Sequence, residues 1–220
     1  GPLHRPELRW NVCRIARLAT RISVRDHASC DLLRLYGIRK PVAVRADPAD
    51  TFLRAHARPH HGADRGVIRC FLRELTGEYP QALTPEQATA SLARLLGRLL
   101  EWYPGHRLEL WAMHHFPVGK DDRVFARELQ RRVGSPRLAV QWEPSTPEEI
   151  MAAMAAAEFC VCMRFHSCVF AAAAGAPFLA IDYTAGGKIR AFLEDNRQDA
   201  RMCGLDALDT LTPEDFKARV

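Results

Sequence analysis

Cys160-Val161-Cys162-Met163-Arg164-Phe165-His166-Ser167, followed by Gly175-Ala176-Pro177-Phe178-Leu179-Ala180-Ile181-Asp182-Tyr183, is the stretch on which the fold turns. An apolar run over residues 159–163 reads as a buried strand. An alanine-rich helix over 165–174 follows and stops at Gly175, a residue suited to a left-handed cap. A second apolar strand covers 178–182. After the loop 183–187, a further helix runs over 188–195. A strand, a helix and a strand with so little between them indicate a parallel sheet covered on both faces.

The same alternation extends upstream. Thr84-Pro85-Glu86-Gln87 and Thr146-Pro147-Glu148-Glu149 each offer a threonine cap, a proline at the first helical position and a side chain to close a capping box. Thr212-Pro213-Glu214-Asp215 repeats the pattern with an aspartate. Leu92, Leu95, Leu96, Leu99 and Leu100 recur at helical spacing after the first cap. Residues 107–113 read as a strand, 121–133 as a helix, 138–142 as a strand and 147–157 as a helix. Nearer the start, a basic helix ends near Leu18 and strands are expected at 22–24 and 41–45. Between these strands lies a helix capped by Asp26 and closed by Gly37. The Pro-, His- and Gly-rich text around Ala57-Arg58-Pro59-His60-His61-Gly62 suits a linker. The expected organisation is the tail of one α/β domain (1–50), a linker (51–65) and a Rossmann-like α/β domain (66–220).

Composition narrows the class. The 220 residues are 48% hydrophobic and 26% charged, which suits a globular chain and not a disordered one. No apolar run reaches the roughly 18 residues of a membrane-spanning helix. The chain opens Gly1-Pro2-Leu3 without methionine, so its start carries no targeting information. Seven cysteines, several in apolar settings, read as buried thiols in a reducing, cytoplasmic environment. Residues 1–73 carry 15 basic and 6 acidic side chains, while the remainder carries 16 and 20. The basic part has its arginines dispersed at helical spacing without interleaved aromatics, which argues against nucleic acid.

In an open parallel sheet, ligands gather at the carboxyl ends of the strands, where the free amides of the next helix favour anions. Arg164 and His166 stand at one such junction, pairing a fixed cation with a titratable ring. The competing reading pairs Arg164 with a nearby carboxylate and makes His166 a satisfied core histidine. One strand later, Gly186-Gly187-Lys188 allows close backbone approach and supplies a point charge suited to phosphate. His114-His115 ends another strand and is a candidate for the same cleft, or else an exposed loop pair. Cys160, Cys162, His166 and Cys168 lack the looped spacing of zinc sites, so no metal is expected.

These residues carry a resemblance. Met163-Arg164-Phe165-His166-Ser167, the Ala-rich helix, Gly175-Ala176-Pro177, the strand ending near Tyr183 and then Lys188 resemble the signature region of polysaccharide pyruvyl transferases. Ile22-Ser23-Val24-Arg25-Asp26 is similar to that family's Ser-Val-Arg-Asp strand end, and Ala46-Asp47-Pro48 to its Ala-Asp-Pro. Gly1-Pro2-Leu3 looks like the end of its Gly-x-Gly-Pro segment. Phe165 departs from the usual leucine, and the family's N-terminal half is missing from the match.

The resemblance implies a two-domain architecture of glycosyltransferase B type. It further implies transfer of a pyruvyl group from phosphoenolpyruvate to sugar hydroxyls as a ketal, with no cofactor. Arg164 would clamp the carboxylate, Lys188 the phosphate, and Arg25 would complete the anionic pocket. His166 would be the general acid, with Ser167 and His114 as further substrate contacts. The expected partners are phosphoenolpyruvate and a saccharide acceptor, lipid-linked at the inner membrane face, with peripheral membrane association. The alternatives are a nucleotide-sugar glycosyltransferase and a non-catalytic anion- or glycan-binding module.

Overall fold

The computed structural model of the chain describes residues 6–56, 64–75, 82–116, 120–184 and 187–220. Gly1-Pro2-Leu3 and the His60-His61 pair lie outside the described residues, as do Ala185 and Gly186 of the lysine loop.

The first unit consists of α1 (Pro6–Leu18), β1 (Ile22–Val24), α2 (His27–Leu35) and β2 (Val42–Val44). Strands β1 and β2 pair in parallel. Cys13, Ala16 and Ile38 form a small apolar cluster of their own, with Ile22, Leu33 and Tyr36 packed against it. Asp26 caps α2 by accepting from the Ser29 amide, and Gly37 takes the positive φ that ends the helix.

The second unit is built around a six-stranded parallel sheet. Its elements in chain order are β3 (Asp64–Phe71), α4 (Pro85–Trp102), β4 (Arg107–Leu110), α5 (Asp122–Val133), β5 (Leu138–Val140) and α6 (Pro147–Ala156). There follow β6 (Ala157–Cys162), α7 (Phe165–Ala173), β7 (Phe178–Asp182), α8 (Lys188–Asp195), β8 (Met202–Gly204) and α9 (Pro213–Arg219). The spatial order β5-β4-β3-β6-β7-β8 is the 3-2-1-4-5-6 order of Rossmann sheets. Every adjacent pair is parallel. The α/β class and the Rossmann-like sheet anticipated from the sequence are therefore present. The order reverses between β3 and β6, which opens a crevice at their carboxyl ends.

Local chemistry explains the helix starts. Thr84 with Gln87, Thr146 with Glu149 and Thr212 with Asp215 all form reciprocal capping boxes. Such a cap stabilises a helix by about 1 kcal/mol. Strand β7 is buried at every position, the pattern of a strand covered on both faces. All seven cysteines are buried free thiols, and burial raises the pKa values of Cys70, Cys160 and Cys162.

Three expectations need correction. The segment 51–65 is not a plain linker, because α3 (Pro48–His56) occupies its first part and β3 begins at Asp64. Helix α3 packs on α7, and Leu53, 1% exposed, belongs to the main core. Central strand β3 escapes the pattern reading because Arg69 interrupts its apolar run. Arg69 is nonetheless buried, with Nε on Glu109 Oε2 at 2.9 Å and Nη1 on the Ala153 carbonyl at 2.6 Å. Strand β4 stops at Leu110, short of the expected residue 113.

Leu53→Ala tests the docking of α3. Truncating a fully buried leucine should lower unfolding stability by about 2–4 kcal/mol in urea titrations, whereas a linker residue would show almost no change.

Candidate functional site

Arg164 is the N-cap residue of α7 and makes no side-chain cap. Its carbonyl accepts from the Ser167 amide at 3.0 Å and from Ser167 Oγ at 2.6 Å, closing the turn that starts the helix. Ser167 is fully buried by this arrangement. It braces the turn and does not line the cleft, contrary to the expected substrate contact.

The guanidinium of Arg164 meets Asp122 side-on, with Nε on Oδ2 at 2.7 Å and Nη2 on Oδ1 at 2.6 Å. Asp122 is 3% exposed and also accepts from the amides of Met113 and His114. The carboxylate reading of Arg164 therefore holds for one edge of the guanidinium. The Nη1 edge makes no hydrogen bond among the described residues, and the side chain is 18% exposed. Asp122 thus fixes the direction of the cation while leaving a donor edge for a second anion.

Phe165 is the platform beside it. The buried ring carries the Arg25 guanidinium 4.2 Å from its centroid and the Lys188 ammonium 5.8 Å from it. Its edge contacts with His166 and Phe192 are at 5.2 and 5.8 Å. A cation over an aromatic face gains about 0.5–2 kcal/mol, more as water is excluded. Arg25 comes from the end of β1 and also donates to Asp47 Oδ2 at 3.2 Å. The half-buried Lys188 opens α8, and described residues on either side of the loop before it are bonded to one another. There the Thr184 amide and hydroxyl both donate to Asp182 Oδ1, and the Gly187 amide donates to Thr184 Oγ1. A Cβ on Gly187 would stand 2.9 Å from that oxygen, so only glycine fits.

His166 is exposed at the centre of this ring of charges. Its pKa lies below the ordinary histidine value, chiefly because protein atoms displace water from the ring. Asp47 opposes the shift, and Arg25, Lys188 and Arg164 add to it. The same four groups show that β1, β2, β6 and β7 deliver their carboxyl-end side chains to one place. Arg25, Arg164, His166 and Lys188 are thus brought together. His114 is not in that group: it is half-buried, its ring meets Phe116 at 5.6 Å, and its backbone holds Asp122.

The sequence model of polysaccharide pyruvyl transferases matches residues 1–184. The chain belongs to that family. The match ends before Lys188, whose place beside Phe165 and His166 is given by the geometry. None of the curated proteins compared matches this pyruvyl transferase family member. Among solved structures it is similar to Anabaena Alr3699/HepE in complex with UDP and glucose, at 17% identity and a TM-score of 0.46. That match covers 82% of this chain and 49% of the other, so the chain spans about half the length of its solved relative.

Several residues of this family member escaped the sequence reading. Asp122 looks like an ordinary first-turn acid, and nothing local says that it meets Arg164 42 positions away. Asp47 lies in a motif quoted for its resemblance, without a role. Arg73 follows the unrecognised strand β3 at the switch point, where Nη1 donates to the Tyr183 hydroxyl at 3.1 Å. Both side chains are buried there, with the guanidinium 4.8 Å from the Tyr183 ring centroid.

The charge pattern can be read directly by NMR titration of His166. Its pKa should fall below that of a histidine in an unstructured peptide. Lys188→Met should raise it and Asp47→Asn should lower it further. An unshifted ring, or one indifferent to both substitutions, would refute the shared electrostatic site.

Proposed function

We propose that this chain binds phosphoenolpyruvate in the crevice between Arg25, Arg164 and Lys188 and transfers its pyruvyl group to a saccharide as a ketal. The supporting observation is the convergence of three cations, from three separate segments, on one titratable ring. Phosphoenolpyruvate presents a carboxylate and a phosphate on a two-carbon frame, and it needs separate cationic anchors. The outward edge of Arg164 suits the planar carboxylate. Lys188, at the start of α8, suits the phosphate. Arg25 closes the pocket from the first unit.

The chemistry follows from these positions. In the free protein His166 favours the neutral form, because protein atoms displace water from its ring and cations stand beside it. A bound multiply charged anion reverses that balance, and the ring takes up a proton. The imidazolium then donates to the methylene carbon, which becomes a methyl group, and positive charge develops on the neighbouring carbon. One sugar hydroxyl attacks that carbon. The C–O bond to phosphate breaks, and the second hydroxyl closes the ring. Of the two hydroxyl protons, one replaces the proton spent on the methyl group and the other leaves with phosphate.

The acceptor we infer is a polysaccharide or its lipid-linked precursor, met at the cytoplasmic face of the membrane. The basic surplus in residues 1–73 supports attraction to such a face. Among the described residues no helix is long and apolar enough to cross a membrane.

Calorimetry with phosphoenolpyruvate tests the donor assignment. Arg164→Ala and Lys188→Ala should each weaken binding about 10- to 100-fold, the cost of a lost charge-assisted contact. Preference for a uridine nucleotide over phosphoenolpyruvate would overturn it.

A second test uses pH. The pKa of His166 is higher in the complex than in the free chain, so affinity should rise as pH falls from the bound value to the free one. Calorimetry in buffers of different ionisation enthalpy should register proton uptake, and His166→Gln should abolish it.

A further inference from the structure

A second compartment lies behind Phe165 and Arg25. It is a cavity of about 200 Å³ where the carboxyl ends of β1 and β2 face the far end of α8. Phe165 and Arg25 form a wall shared with the cationic crevice, and Asp47 lines the cavity while acting electrically on His166.

Its lining differs from that of the crevice. Four carboxylates, Asp26, Asp47, Asp50 and Asp195, face two guanidiniums, Arg25 and Arg45. An anionic ligand would meet a surplus of negative charge. A divalent cation does not fit either, since among the described residues no three acidic, histidine or cysteine side chains are grouped to hold one. Carboxylate acceptors, guanidinium donors and apolar rings side by side suit a neutral molecule rich in hydroxyl groups.

The carboxylates are held but not saturated. Asp47 accepts one bond from Arg25 on Oδ2 and one from the Ala49 amide on Oδ1. Asp195 accepts from the amide of His27 on Oδ2 at 3.0 Å, and its Oδ1 lies 3.0 Å from the His27 ring. A carboxylate has about four acceptor positions, so each can take further hydroxyl donors without losing its present partners. The Phe165 and Phe192 rings supply apolar surface between these polar groups, and Asn196 adds an amide. Acceptors at fixed positions around apolar surface match a pyranose, which alternates hydroxyls around a C–H face.

We propose that this cavity is a saccharide subsite that seats one sugar ring of the acceptor beside the donor crevice. The inference builds on the pyruvyl transfer reading, to which it adds the place of the acceptor. At about 200 Å³ the cavity is of a size to seat about one sugar ring.

The test uses the whole chain with methyl glycosides of glucose, galactose and mannose as probes, followed by saturation-transfer NMR. At least one glycoside should show transfer in the unaltered chain. Ala46→Trp, which fills the cavity from an exposed lining position, should weaken that glycoside at least ten-fold while leaving phosphoenolpyruvate binding within two-fold. Asn196→Ala removes an amide without adding bulk and should weaken the glycoside several-fold, providing a check should the tryptophan disturb folding. No transfer from any probe, or transfer unchanged in both variants, overturns the subsite. So does parallel loss of glycoside and phosphoenolpyruvate in folded Ala46→Trp, which would make the cavity part of the donor pocket. Glycoside binding without phosphoenolpyruvate binding in the unaltered chain would retain the subsite and sink the donor assignment.

Discussion

The parallel pairing of β3 with β6 is the constraint on which the rest depends. Both strands are central and deeply buried, and their registered backbones point their carboxyl ends the same way. The helices that follow them return on opposite faces of the sheet, so the chain parts at this point and leaves a crevice. Arg73 follows one strand and Arg164 the other. Neighbouring β7 brings Tyr183 and then Lys188 to the same rim. The observed strand order thus sets Arg73, Arg164 and Lys188 after three neighbouring strands of one sheet.

Gathering cations in a half-buried crevice costs free energy, and the structure offsets that cost by specific means. Arg164 is anchored to the nearly inaccessible Asp122, itself held by two backbone amides. Arg25 is balanced by Asp47 and Asp26. The Phe165 ring serves Arg25 and Lys188 through its faces. An aromatic ring in this position does something an aliphatic one does not, because its quadrupole attracts both cations. The Asp122 anchor engages Nε and Nη2 of Arg164 and leaves its Nη1 edge outward. The pKa of His166 is lowered chiefly by the displacement of water from its ring, and Arg25, Lys188 and Arg164 add to the shift.

The first unit contributes more than a cover. Arg25 and Asp47 follow the ends of its two strands, and His27 bonds to Asp195 at the end of α8. Helix α3 then crosses to the second unit, where Leu53 enters the main core. Crevice and cavity are therefore walled by both units, with Phe165 and Arg25 between them. Such a division sets a crevice lined by cations and a cavity with a surplus of carboxylates only one side chain apart.

Much of this was legible in the amino-acid order. Capping boxes, apolar runs and glycine stops depend on neighbours within a few positions, and for that reason helices α4, α6, α7 and α9 and strands β6 and β7 could be read directly. Arg164, His166 and Lys188 could be singled out because strand-to-helix junctions are recognisable locally. Central strand β3 could not, since its buried Arg69 is tolerated only because Glu109 waits on the adjacent strand. Nor could the clamp of Asp122 on Arg164, the seating of two cations on Phe165, or the inward turn of Ser167. These contacts join residues tens of positions apart, and their energies depend on distance and burial. The linear order therefore determined the elements and the chemical groups at their ends. Only the folded sheet decided which groups share a pocket, because charge and aromatic interactions act through space and not along the chain.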